Sequence, residues 1–99
     1  MRMMLKVTIP VEAGNKAVKD GTLARTMQRT MERLKPEAAY FLAEDGKRTA
    51  LFFFNMQDVS QIPVIAEPLF MGMDASLTMV PVMNADDLQK GLAEAAKNF

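Results

Sequence analysis

The stretch from Glu37 to Met56, EAAYFLAEDGKRTALFFFNM, decides the fold. Two apolar runs, Ala38–Ala43 and Thr49–Phe54, flank Glu44-Asp45-Gly46-Lys47. Asp-Gly is a preferred central pair of the type I′ turn, whose two central positions both need positive φ. A two-residue turn fixes the register, setting Glu44 opposite Lys47, Leu42 opposite Thr49 and Tyr40 opposite Leu51. Side chains alternate along each strand. Ala39, Phe41, Ala50, Phe52 and Phe54 therefore share one face, and Tyr40, Leu42, Leu51 and Phe53 the other.

Upstream, Met3 to Ile9 has period two. Met3, Leu5, Val7 and Ile9 lie on one side, and Met4, Lys6 and Thr8 on the other, a first strand closed by Pro10. Val11–Gly14 reads as a connection. From Asn15 the period changes, and Leu23, Met27, Met31 and Leu34 form a helical stripe ending before Pro36. Gly21 costs that helix about 1 kcal/mol relative to Ala, so a bend or a later start is expected there.

Downstream of the hairpin, Asp58 or Ser60 opens a second helix whose stripe is Ile62, Ile65, Ala66, Leu69 and Phe70. Pro68 kinks or ends it, and Gly72 completes the stop. Ser76–Val82 reads as a fourth strand. Asn84 caps a last helix, with Asp86 and Asp87 in its first turn where the helix dipole favours acids. Leu88, Leu92, Ala95, Ala96 and Phe99 are expected on its inner face, with Gly91 on the same side.

The element order is β-α-β-β-α-β plus a C-terminal helix, an α+β arrangement of ferredoxin-like type spanning residues 1–99 as a single domain. Right-handed crossovers give a four-stranded antiparallel sheet in the order 4-1-3-2 with its helices on one face. The other face then carries Tyr40, Leu42, Leu51 and Phe53, more clustered apolar surface than a soluble monomer ordinarily exposes. A second copy packed sheet to sheet covers it, and a homodimer is expected.

The whole chain resembles the dimeric α+β barrel proteins, which combine this order with a two-sided apolar sheet. Among them it is similar to small uncharacterised bacterial proteins. The likeness rests on Lys-Pro-Glu-Ala-Ala-Tyr-Phe (Lys35–Phe41), Ile-Pro-x-Ile-Ala-Glu-Pro (Ile62–Pro68) and Pro-Val-Met (Pro81–Met83). The wider group holds muconolactone isomerase-like, antibiotic-biosynthesis monooxygenase-like and chlorite dismutase-like proteins, and ligand-sensing domains of transcription regulators. Fold likeness leaves function open among these.

Composition removes many chemistries. The 99 residues include no Cys and no His, so thiolate nucleophiles, Cys-based metal sites, the usual general base and the commonest metal ligand are all missing. The glycines are too scattered for a phosphate loop, and no Ser has a His to activate it. No metal or cofactor is expected. Twelve basic residues balance twelve acidic ones, although the first half is basic and the second acidic. Arg25, Arg29 and Arg33 make a basic line on the first helix. Without interleaved aromatics or a helix-turn-helix it reads as a solvated face, not a nucleic-acid surface. No apolar run approaches the roughly 20 residues of a membrane span, and a soluble, cytoplasmic protein is expected.

The mixed sheet face is the candidate site. Lys6, Tyr40, Asn55 and Thr78 set polar groups beside Phe53, with Thr8, Leu42 and Leu51 around them, as small-molecule sites do. The expected function is a homodimer that binds a small apolar molecule or a protein partner without catalysis. The alternative is a cofactor-independent monooxygenase or isomerase for an aromatic or lactone substrate. There Tyr40 and Asn55 would hold an enolate or phenolate and Lys6 would balance its charge. A detached sensing module is a third reading. Arg48, Glu67 and Asp74 would suit a ligand between sheet and helices. The ten Met residues, Met71 and Met73 among them, read chiefly as adaptable core filler.

Overall fold

The computed structural model describes residues 1–99. Its elements are β1 (Arg2–Ile9), α1 (Val11–Asp20), α2 (Thr22–Leu34), β2 (Ala38–Glu44), β3 (Lys47–Asn55), α3 (Gln61–Met73), β4 (Ser76–Pro81) and α4 (Ala85–Ala96). The four strands form one antiparallel sheet in the order β2-β3-β1-β4, the expected 4-1-3-2 read from the other edge. The hairpin has the predicted register, with Glu44 opposite Lys47, Leu42 opposite Thr49 and Tyr40 opposite Leu51. Asp45 and Gly46 take φ of 53° and 74°, as a type I′ turn requires.

The core lies on one side of this sheet. Leu5, Val7 and Phe52 are wholly buried, with Met3, Ile9, Ala50 and Phe54 beside them. Ala17, Leu34, Ile65, Leu69 and Met73 come down on them from α1, α2 and α3. Phe41 points to this side and meets Phe52 edge to face at 5.9 Å. It nevertheless stays 61% exposed, on the edge strand of the sheet.

The first crossover differs from the expectation of one helix starting at Asn15. The chain is helical from Val11, straight after Pro10, so Val11–Gly14 is no connection. Gly21 takes φ +82°, which ends α1 and starts α2, giving two helices where one was expected. A left-handed residue ends a helix by turning the chain off its axis, and Gly does so without a Cβ clash. The Asp20 carboxylate accepts the Thr22 amide at 2.9 Å. The hydrogen bonds from Thr22 hold its pKa below the ordinary carboxylate value.

The second crossover departs in the opposite sense. α3 runs through Pro68 to Met73, where Asp74 in the left-handed region stops it. Proline lacks the N–H that would bond the carbonyl four residues back, here Val64. Arg33 of α2 fills the gap, its Nη1 donating to the Val64 carbonyl at 2.8 Å. Ile62 and Phe70, expected in the buried stripe, are exposed, whereas Ile65, Ala66 and Leu69 are buried.

α4 carries the capping box that Asn84 announced. The Asp87 amide donates to Asn84 Oδ1 at 2.8 Å, and the Asn84 amide donates to Asp87 Oδ2 at 3.1 Å. Its expected inner face is not inner. No residue of α4 is buried, and Leu88, Leu92 and Phe99 are all exposed, because the helix projects beyond the domain instead of returning to it. No helix of the chain is long and apolar enough to cross a membrane.

Candidate functional site

The sheet side away from α1–α3, here the open face, collects every second residue of each strand. Strand pairing arranges these residues in cross-strand rows. Tyr40, Leu51, Lys6 and Thr78 form one row, and Ala38, Phe53, Met4 and Val80 the next. Leu42, Thr49, Thr8 and Ser76 lie on the other side of the first row. Lys6, Tyr40, Thr78 and Phe53 thus occupy adjacent positions. Asn55 lies one row beyond Phe53, opposite Arg2 at the end of β3, and about 13 Å along the strand from Leu51 in the Lys6 row. Its Oδ1 accepts the Met1 amine at 2.6 Å.

Apolar surface dominates the rows. Tyr40 is 61% exposed, Leu42 and Val80 are also exposed, and Met4, Leu51 and Phe53 are half-buried. Lys6 is not a free cation among them. Its Nζ meets Glu44 Oε1 at 2.6 Å, with both side chains partly exposed. Lys6 lies on β1 and Glu44 on β2, and the line between them crosses β3 near Thr49. That crossing fits the burial of Thr49, only 4% exposed although it lies on the open face. Turn geometry sets Glu44 opposite Lys47, and the turn alone does not reveal its partnership with Lys6. Both side chains have the parity of the open face, and that was the available signal.

Arg48, Glu67 and Asp74 do not converge. Arg48 donates to Asn15 Oδ1 at 3.1 Å, Glu67 is exposed on α3, and Asp74 forms the C-terminal cap of that helix. Asp74 lines a cleft of about 630 Å³ between α1 and the end of α3, without Arg48 or Glu67, and two further clefts lie between α2 and α3. One of about 420 Å³, between the end of α2 and the start of α3, brings Arg33, Lys35, Asn55, Gln57 and Gln61 around Phe54 and Ile65. A second of about 340 Å³ continues along α2 and α3, lined by Thr22, Thr26, Arg29 and Thr30. Of the basic line on α2, Arg29 and Arg33 thus reach these clefts.

Carboxylates elsewhere are tied to local structure. Hydrogen bonds from Ser60 hold the Asp58 carboxyl below its usual range. The bond from Arg2 Nε to Glu37 Oε1, 2.6 Å long, raises the Arg2 pKa. No three acidic side chains stand close enough together to hold a metal ion.

These features define a small α+β protein whose four-stranded antiparallel sheet is compatible with the ferredoxin-like arrangement. Compared with protein-family models, curated proteins and solved structures, the chain gives no match.

Proposed function

We propose that the protein works as a homodimer joined through its open sheet faces and binds a small apolar molecule between them, without catalysis. The observation that carries this reading is the open face itself, where Tyr40, Leu42, Leu51, Phe53, Met4 and Val80 adjoin in three rows with no helix over them. Clustered apolar surface of this kind marks an interface or a ligand groove. Thr78 and the Tyr40 hydroxyl supply the few polar groups that orient a ligand in such a space. Binding is placed ahead of the monooxygenase or isomerase because Lys6 already has Glu44 as its counter-ion. A charge balanced in this way adds little to the stabilisation of a developing enolate.

Native mass spectrometry of the purified protein tests both parts. The expected spectrum shows twice the chain mass plus a retained small molecule that leaves on unfolding. A monomer at micromolar concentration overturns the dimer. A dimer that carries nothing, and takes up no apolar probe such as an anilinonaphthalene dye, overturns the ligand.

A further inference from the structure

We propose that α4 is an arm that packs its Leu88–Leu92–Ala95 stripe on a second copy of this chain, closing the margin of the space between the two open faces. This inference rests on the reading of the open face as the dimer interface and adds an element to it.

α4 is built as a helix yet has nothing to lean on. Its capping box is complete, and its 12 residues span about 18 Å. An isolated helix of that length is marginal in water, and helices gain most of their stability by packing an apolar side. Leu88 and Leu92, 46% and 55% exposed, lie one turn apart with Ala95 following. Asp86, Lys90, Glu94 and Lys97 run along another side with alternating sign. The apolar side is therefore formed and unmatched.

Its point of departure ties α4 to the open face. Arg2 has the same strand parity as Met4 and Lys6, so its side chain belongs to that face. From there it reaches Glu37 at 2.6 Å and Asp87, in the first turn of α4, at 3.6 Å. The helix thus leaves from the end of the open face. It does not cover its own sheet, because Tyr40, Leu42 and Val80 remain exposed.

Area and symmetry together point to a second copy as the occupant. A compact monomer of 11.0 kDa exposes about 5,600 Å², whereas this chain exposes 6772 Å². Its radius of gyration is 16.1 Å against about 12.6 Å for a compact domain of this length. The excess of about 1,200 Å² exceeds the roughly 800 Å² that each partner of a standard complex contributes. The charges on α4 alternate in sign and Lys6 is paired, so neither surface selects a charged partner. A two-fold axis brings each arm to a surface that the same chain supplies, and covers both at once.

The chain has no Cys, so Leu92→Cys places a single benzophenone label on α4. Illumination is expected to give covalent dimers whose mapped links fall on open-face residues of the second copy, such as Tyr40 or Leu42. Links within one chain only, links to α1–α3 of the second copy, or no links overturn the proposal. Separately, Leu88→Asp with Leu92→Asp is expected to raise the dimer dissociation constant at least 100-fold in sedimentation equilibrium. An unchanged constant overturns the role of α4 and leaves the sheet interface standing, whereas a monomeric unsubstituted chain overturns both.

Discussion

Arg33 shows how one side chain links two helices through a missing proton. Pro68 sits inside α3 and deprives the Val64 carbonyl of its helical donor. The guanidinium of Arg33, on the neighbouring helix, supplies one at 2.8 Å. The pair predicts a specific non-additivity. Arg33→Ala should cost about 1 kcal/mol, the ordinary net value of a hydrogen bond. In the Pro68→Ala background the new amide can serve Val64, and the same substitution should then cost close to nothing. A double-mutant cycle by urea denaturation reads the coupling, and additive effects would show that Arg33 does not stand in for the donor that Pro68 lacks. This role was half legible in the sequence. Arg33 stood out as part of a basic line and Pro68 as a helix breaker, but only three-dimensional placement joins residues 35 apart. Of the candidate ligand residues, Lys6, Tyr40, Phe53 and Thr78 were legible by strand parity and do adjoin. Asn55 shares the parity and adjoins Phe53, two rows from Lys6, a distance that parity alone does not give.

Among the elements, those governed by local rules were the readable ones. The hairpin register, the first strand and the Asn84 cap follow from turn chemistry, alternation and side-chain capping, all of which act within a few residues. Where a helix bends or stops depends on what it packs against, and there the sequence marked Gly21 as a bend without showing that it ends one helix and starts another. Gly21 in a continuous helix would be a weak point that Ala improves. As the left-handed junction between α1 and α2 it is a position that Ala strains, since a side chain at φ +82° costs roughly 1–2 kcal/mol. An ideal Cβ there would also lie 3.0 Å from Arg25 Nη1. Gly21→Ala should therefore lower stability by about 1–2 kcal/mol, seen as a lower denaturation midpoint with an unchanged slope. A stabilised variant would restore the single-helix reading. Pro68 shows the converse, a breaker that does not break because a neighbouring side chain replaces the lost donor.

For the molecule as a whole, almost half of the residues are hydrophobic, yet only 17 of 99 are buried. A single core under α1–α3 holds 14 of those, and the remaining apolar surface is spread over the open face, α4, Phe41 on the β2 edge and the outer sides of α1 and α3, where Val11, Val18, Val64 and Met71 are exposed. The excess of open-face apolar surface was legible from alternation. The exposure of α4 was not, because an amphipathic stripe reads the same whichever surface it faces. If the proposed dimer is what covers this surface, folding is coupled to association. Mass action then makes thermal stability depend on concentration. For a two-state dimer of this size, a hundredfold increase in protein contributes about 2.7 kcal/mol and should raise Tm by roughly 6–10 °C. Differential scanning calorimetry from the low-micromolar range upward measures this directly. A Tm that stays fixed across that range would mean that one copy is stable by itself, with its open face and its arm left to some other occupant.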